Sequence, residues 1–220
     1  MRTGVVMPVI ERLRRRLRDE LGFTLIELLA TVIIMGVIGA GIVGVVVSYL
    51  RFTVDTQSRM TESQDVQFAA VYWQRDVASI GVRRAYDEDS KTFPLDPSVE
   101  VDPDCVLPSG DTVVTLAWSD YETPDSTSTP TKITVTYVAR SNATDNYELI
   151  RVRCTGANVD STIEVAHSLN VVPTATCDVA CTGSGANVPR LVYLHLSVLD
   201  PDGNGTTAYT ATLTGERRQT

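Results

Sequence analysis

The chain has 220 residues, 43% of them hydrophobic, and a formal net charge of −8. That length accommodates one membrane anchor and one globular domain of ordinary size. The first 22 residues hold six arginines against three acids, so residues 23–220 carry a net −11, which repels nucleic acid phosphates and argues against direct nucleic acid binding.

In chain order the first element is a basic leader, residues 1–22, with Arg2, Arg12, Arg14, Arg15, Arg16 and Arg18. From Leu28 to Leu50 there follow 23 residues without a formal charge. As a helix this run reaches roughly 35 Å, enough to cross a hydrocarbon core of about 30 Å. Beyond it only Arg51 stands close by, with Asp55 behind it. The positive-inside bias therefore holds the N-terminus in the cytoplasm and sends the rest across the inner membrane. A secretory signal is a poor description, because its apolar region spans roughly 7–15 residues and a small-x-small cleavage site follows. "VVVSYLRFT" offers no such site.

Any cleavable element therefore precedes the apolar run, where "LGFTLIELL" stands. Gly22, Phe23, Thr24, Leu25, Ile26, Glu27, Leu28 and Leu29 closely resemble the processing site of type IV prepilins and type II secretion pseudopilins. In that family a membrane-embedded aspartyl peptidase cuts after the glycine and methylates the new N-terminus. The resemblance implies a cut between Gly22 and Phe23, an N-methylated Phe23, and Glu27 as the fifth residue of the mature chain. It also implies partners: the prepilin peptidase, other pilin or pseudopilin subunits, an assembly platform and its ATPase. The likeness is specific over residues 12–50 and only architectural beyond them.

Glu27 is costly in lipid and accountable in a filament. A carboxylate at the centre of a membrane helix costs about 2.5–3.5 kcal/mol, and less near the boundary. An amine about 4 Å away returns about 4 kcal/mol at an effective dielectric of about 20. Cleavage at Gly22 creates such an amine on Phe23, and the resemblance implies that Glu27 of an incoming subunit meets the N-terminus of a neighbour and sets the register. The family's mid-helix proline is missing. Gly36, Gly39, Gly41 and Gly44 stand instead, each costing about 1 kcal/mol relative to Ala and favouring local melting. Gly36–Ala40 and Ala40–Gly44 are equally small-xxx-small spacings for close helix packing, and both readings stay open.

Residues 51–81 continue the helix. Val66, Ala69, Trp73, Val77 and Ile80 recur at spacings of three and four, while Gln64, Asp65, Gln67, Gln74 and Arg75 take other positions. Gly81 is the expected stop. Residues 82–110 read as a variable loop rich in Asp, Pro and Ser, with little regular structure beyond Val99–Val101. Strand patterns follow at 112–119, 132–140, 147–154, 161–169, 190–199 and 207–215. The expected fold is α+β: a long N-terminal helix, membrane-spanning in one half and a spine in the other, packed on an antiparallel sheet head (82–220), pilin-like.

Cys105, Cys154, Cys177 and Cys181 all lie in the exported part, where disulfides are the default. Of three pairings, Cys105–Cys154 with Cys177–Cys181 is preferred because "CDVAC" can close locally. Chain entropy gives about 4 kcal/mol for the longer loop and about 2 kcal/mol for the short one. Asp200, Asp202 and Asn204 alternate as in a calcium loop, but Ala211 stands where that loop needs Glu, and a hairpin turn is preferred. His167 and His195 read as sheet residues without a recognisable partner. No nucleophile–base pair, phosphate loop or metal pair is recognisable, so no enzyme and no cofactor is expected.

The expectation is a minor pilin or pseudopilin subunit working in adhesion, motility, DNA uptake or secretion. The alternative is an uncleaved single-pass membrane protein whose head binds a ligand or surface.

Overall fold

No proline interrupts residues 24–79, and the chain there forms one 55-residue helix, α1 (Leu25–Ser79). It ends just before Gly81, whose φ of 143° side chains rarely adopt. The structure, a computed structural model, describes residues 24–121, 130–142, 146–199 and 208–218. The leader with Gly22 and Phe23, and the segment with Asp200, Asp202 and Asn204, lie outside the described residues.

The chain divides into two units, Met1–Thr53 and Val54–Thr220. In the first, Leu25–Thr53 is a 29-residue stretch whose most apolar part has a mean hydropathy of 2.6 and is not covered by other parts of the chain. Its length and composition suffice to cross a membrane.

The second unit, the head, is a sheet folded onto the later turns of α1. Among the described residues it has nine strands: β1 (Val82–Arg83), β2 (Leu95–Asp96), β3 (Asp111–Asp120), β4 (Thr131–Ser141), β5 (Tyr147–Thr155), β6 (Asn158–Leu169), β7 (Thr174–Cys177), β8 (Leu191–Val198) and β9 (Tyr209–Glu216). β3, β4, β5 and β6 pair in succession, each antiparallel to the next. β6 meets β8 at its end, where Leu169 stands opposite Val198, while β8 pairs with β7 on one edge and along its whole length with β9 on the other. β1 and β2 form a separate two-stranded ladder.

The helical spacing of three and four produces the core. Ala69, Trp73, Val77 and Ile80 are fully buried, against Val192, Leu194, Leu196 and Val198 from alternate positions of β8 and Val135, Tyr137 and Leu149 from β4 and β5. The Trp73 and Tyr137 rings meet edge to face at 5.3 Å, and Trp73 Nε1 donates to the Val192 carbonyl at 3.3 Å. β4 is buried without interruption from Ile133 to Ala139, as befits a strand covered on both faces. The segment expected to be a variable loop covers the neighbouring β5. There Cys105 is disulfide-bonded to Cys154, and Cys105 and Leu107 close a small cluster with Ile150 and Val152. Ser98 and Val99 are also fully buried. Beyond the short β1–β2 ladder that segment has little regular structure, and it is held by the disulfide and by the Ser98 carbonyl, which accepts from the Ala117 amide of β3 at 2.9 Å. The other disulfide, Cys177–Cys181, closes directly after β7. β7 itself carries only four residues and no apolar alternation, which is why the sequence shows no signal for it.

α1 crosses β9 at close range. A Cβ added to Gly215 stands 2.6 Å from Val77 Cγ2, and the β-branched valine cannot rotate away within the core. Gly215→Ala is therefore expected to destabilise the head by about 1–3 kcal/mol, read as a lowered thermal midpoint. An unchanged midpoint would mean that helix and strand have slack at this crossing.

Candidate assembly site

The first described residue, Thr24, caps α1. Its side-chain Oγ1 accepts from the Glu27 amide at 3.3 Å, and its carbonyl accepts from the Glu27 and Leu28 amides at 3.0 and 3.1 Å. Thr24-x-x-Glu27 has the spacing of a capping box, a signal that a reading centred on the cleavage motif passed over. The cap puts Glu27 in the first turn of the helix, where the positive end of the macrodipole favours an anion. Glu27 thus sits on the helix end that best tolerates its charge. Among the described residues it has no ion-pair partner.

Below Glu27 the surface is apolar on all sides. Leu25, Ile26, Val32, Met35, Val37 and Val45 are each more than three-fifths exposed. Gly36, Gly39, Gly41 and Gly44 have nothing within 4 Å of an added Cβ, so their faces are open. A helix apolar all round is stable only in lipid or packed among other helices.

In the head, two carboxylates of α1 fasten it to the sheet, and both were hidden in the sequence. Asp76 accepts from Arg151 Nε at 2.6 Å, from Arg151 Nη2 at 2.7 Å and from the Tyr137 hydroxyl at 2.8 Å, all buried. Burial, and then the negative charge of Asp76, push the Tyr137 hydroxyl well above its ordinary range. Burial, the largest influence, would lower the Arg151 guanidinium, but hydrogen bonding and charge attraction to Asp76, joined by those to Tyr137, together hold Arg151 above its ordinary value. The three groups form a buried charged clamp between α1 and the sheet.

Asp65 corrects two expectations. It belongs to the buried side of α1, and it partners His167, accepting from the His167 amide and meeting its Nδ1, both at 2.9 Å. His195 stands between Thr176 and Thr212, at 2.9 and 3.2 Å. The hydrogen bond to Asp65 raises the His167 pKa, with burial opposing it. A raised folded-state pKa contributes stability below the unfolded value, about 6.5. That contribution is lost as pH rises through the folded value. His167 is 61% exposed, so solvent screening keeps the effect below about 1 kcal/mol. The difference in thermal midpoint between wild type and His167→Gln is expected to shrink from pH 6 to pH 8.5. A constant difference contradicts the pairing. No group of three or more metal-ligating side chains occurs among the described residues.

Compared with known families, residues 17–43 match the prokaryotic N-terminal methylation motif. The chain carries the type IV prepilin and pseudopilin signature. The match spans Gly22 and Phe23 and, on α1, the Thr24 cap, Glu27 and the apolar turns as far as Val43. No curated protein and no solved structure matches the chain. The signature implies pilin-type processing and assembly with other pilins, and it runs onto an apolar helix whose length and composition suffice to cross a membrane.

Proposed function

We propose that the chain is a minor pilin or pseudopilin subunit. It is inserted with its N-terminus in the cytoplasm, cut after Gly22 by a prepilin peptidase and methylated on Phe23. An assembly platform and ATPase then draw it into a filament. One observation carries this reading: the methylation signature runs onto a capped helix whose 29-residue, largely apolar stretch is exposed. A fixed anchor has no use for Glu27. In a filament Glu27 meets the amine that cleavage creates on a neighbouring Phe23, and the pair sets the axial register. The work is mechanical rather than catalytic, and the clamp of Asp76, Arg151 and Tyr137 keeps the head on its spine. Substituting Gly22 with a bulky residue is expected to leave the leader in place and confine the chain to the membrane fraction. Its appearance in sheared filaments would overturn the reading.

A further inference from the structure

Two oppositely charged features of the head face solvent at different places in the fold. The first is a groove of about 740 Å³ where α1 crosses the ends of β8 and β9, bordered by Gln74, Arg190, Thr214, Arg217 and Arg218. Arg75 lines the adjoining depression together with Val71 and Arg218. Arg190, Arg217 and Arg218 therefore gather beside Glu216, which Arg190 engages at 2.7 Å, while the Asp178 carboxylate accepts from the Arg190 amide at 3.2 Å. Arg75 and Arg218 form no ion pair among the described residues. Arg217 donates to the Val188 carbonyl at 3.4 Å, and its Nε has no hydrogen-bond partner. On a chain with net charge −8, this concentration of unneutralised cations is a local inversion of sign.

The second feature is the turn that leads from β1 to β2. The Asp87 amide donates to the Thr92 carbonyl at 2.9 Å, and the Asp87 carboxylate accepts from the Ser90 hydroxyl at 2.7 Å and the Asp89 amide at 3.1 Å. At its base the Tyr86 and Phe93 rings meet edge to face at 5.2 Å. Asp87 is occupied internally, so the turn presents the carboxylates Glu88 and Asp89 beside the cation Lys91, all exposed and without an ion pair among the described residues. Its conformation is already set by its own bonds, so docking it costs little ordering.

We propose that the Tyr86–Phe93 turn of one copy docks into the arginine groove of a second copy. Glu88 and Asp89 face Arg75 and Arg218, and the aromatic base of the turn lies over the exposed Val71 and Phe68 of α1. Turn and groove are different patches of one head, so the contact is head to tail and repeats openly rather than closing as a symmetric dimer. This goes beyond the filament reading and does not rest on cleavage or on Glu27.

The test uses the detergent-solubilised full chain, with self-association followed by sedimentation at low and high salt. Circular dichroism checks that each variant is folded. The wild type is expected to associate at low salt and to dissociate as salt is raised. Reversing the groove (Arg75→Glu with Arg218→Glu) or the turn (Glu88→Arg with Asp89→Arg) is expected to weaken association by about tenfold or more. An equal mixture of the two variants restores it, because each then supplies the surface complementary to the other. A wild type that stays monomeric, a reversal without effect, or a mixture that fails to recover overturns the proposal. Loss on groove reversal but not on turn reversal also overturns it and assigns the groove to a different acidic surface of this chain.

Discussion

Asp76→Ala is expected to lower the stability of the head by about 3–5 kcal/mol. In a unit of this size that is about 6–20 °C in thermal midpoint. Asp76 is the sole carboxylate of the buried clamp, and its removal leaves the Arg151 guanidinium, 2% exposed, without its anion. The Tyr137 hydroxyl loses its acceptor in the same step. Tyr137→Phe removes one hydrogen bond to a charged group and keeps the ring against Trp73, so it costs less, about 1.5–3 kcal/mol. Replacing Asp76 and Arg151 together by Leu and Met removes both charges and recovers most of the loss. Unfolding followed with both disulfides intact separates the three cases. If the double variant is as unstable as Asp76→Ala, lost packing rather than an uncompensated charge explains the effect.

Glu27→Ala carries the largest expected effect on function. Processing is expected to continue, because Gly22 and the leader are untouched, while incorporation into filaments falls more than tenfold. The lost attraction of about 4 kcal/mol sets the ceiling on that effect, and screening or water at the helix end brings it below the full thousandfold. Glu27→Gln tests charge apart from shape, since it keeps the side-chain length near the Thr24 cap and is expected to fail as Ala does. Normal incorporation of either variant removes the pairing of Glu27 with a neighbouring amine from the account.

Much of this fold was legible from local pattern. β8 alternates in the sequence as it alternates in burial, and the stripe from Ala69 to Ile80 emerges as the buried face of α1. The apolar segment and Glu27 were legible for the same reason, being contiguous. Polar residues whose meaning depends on distant partners were not legible. Asp76 finds Arg151 75 residues away and Asp65 finds His167 102 residues away, so on the helix alone both read as solvent-facing carboxylates. The segment before β3 escaped recognition likewise. Its order comes from a disulfide to β5, the two-residue β1–β2 ladder and the bridge from Val99 to Leu116 of β3, not from any periodicity of its own.

The central claim is that the N-terminal helix belongs to a processed filament subunit rather than a fixed anchor. The most direct test is the intact mass of the chain co-expressed with a prepilin peptidase. The account predicts a mature chain beginning at Phe23, short by residues 1–22 and heavier by one methyl group. A full-length, unmethylated chain in the presence of active peptidase would contradict it.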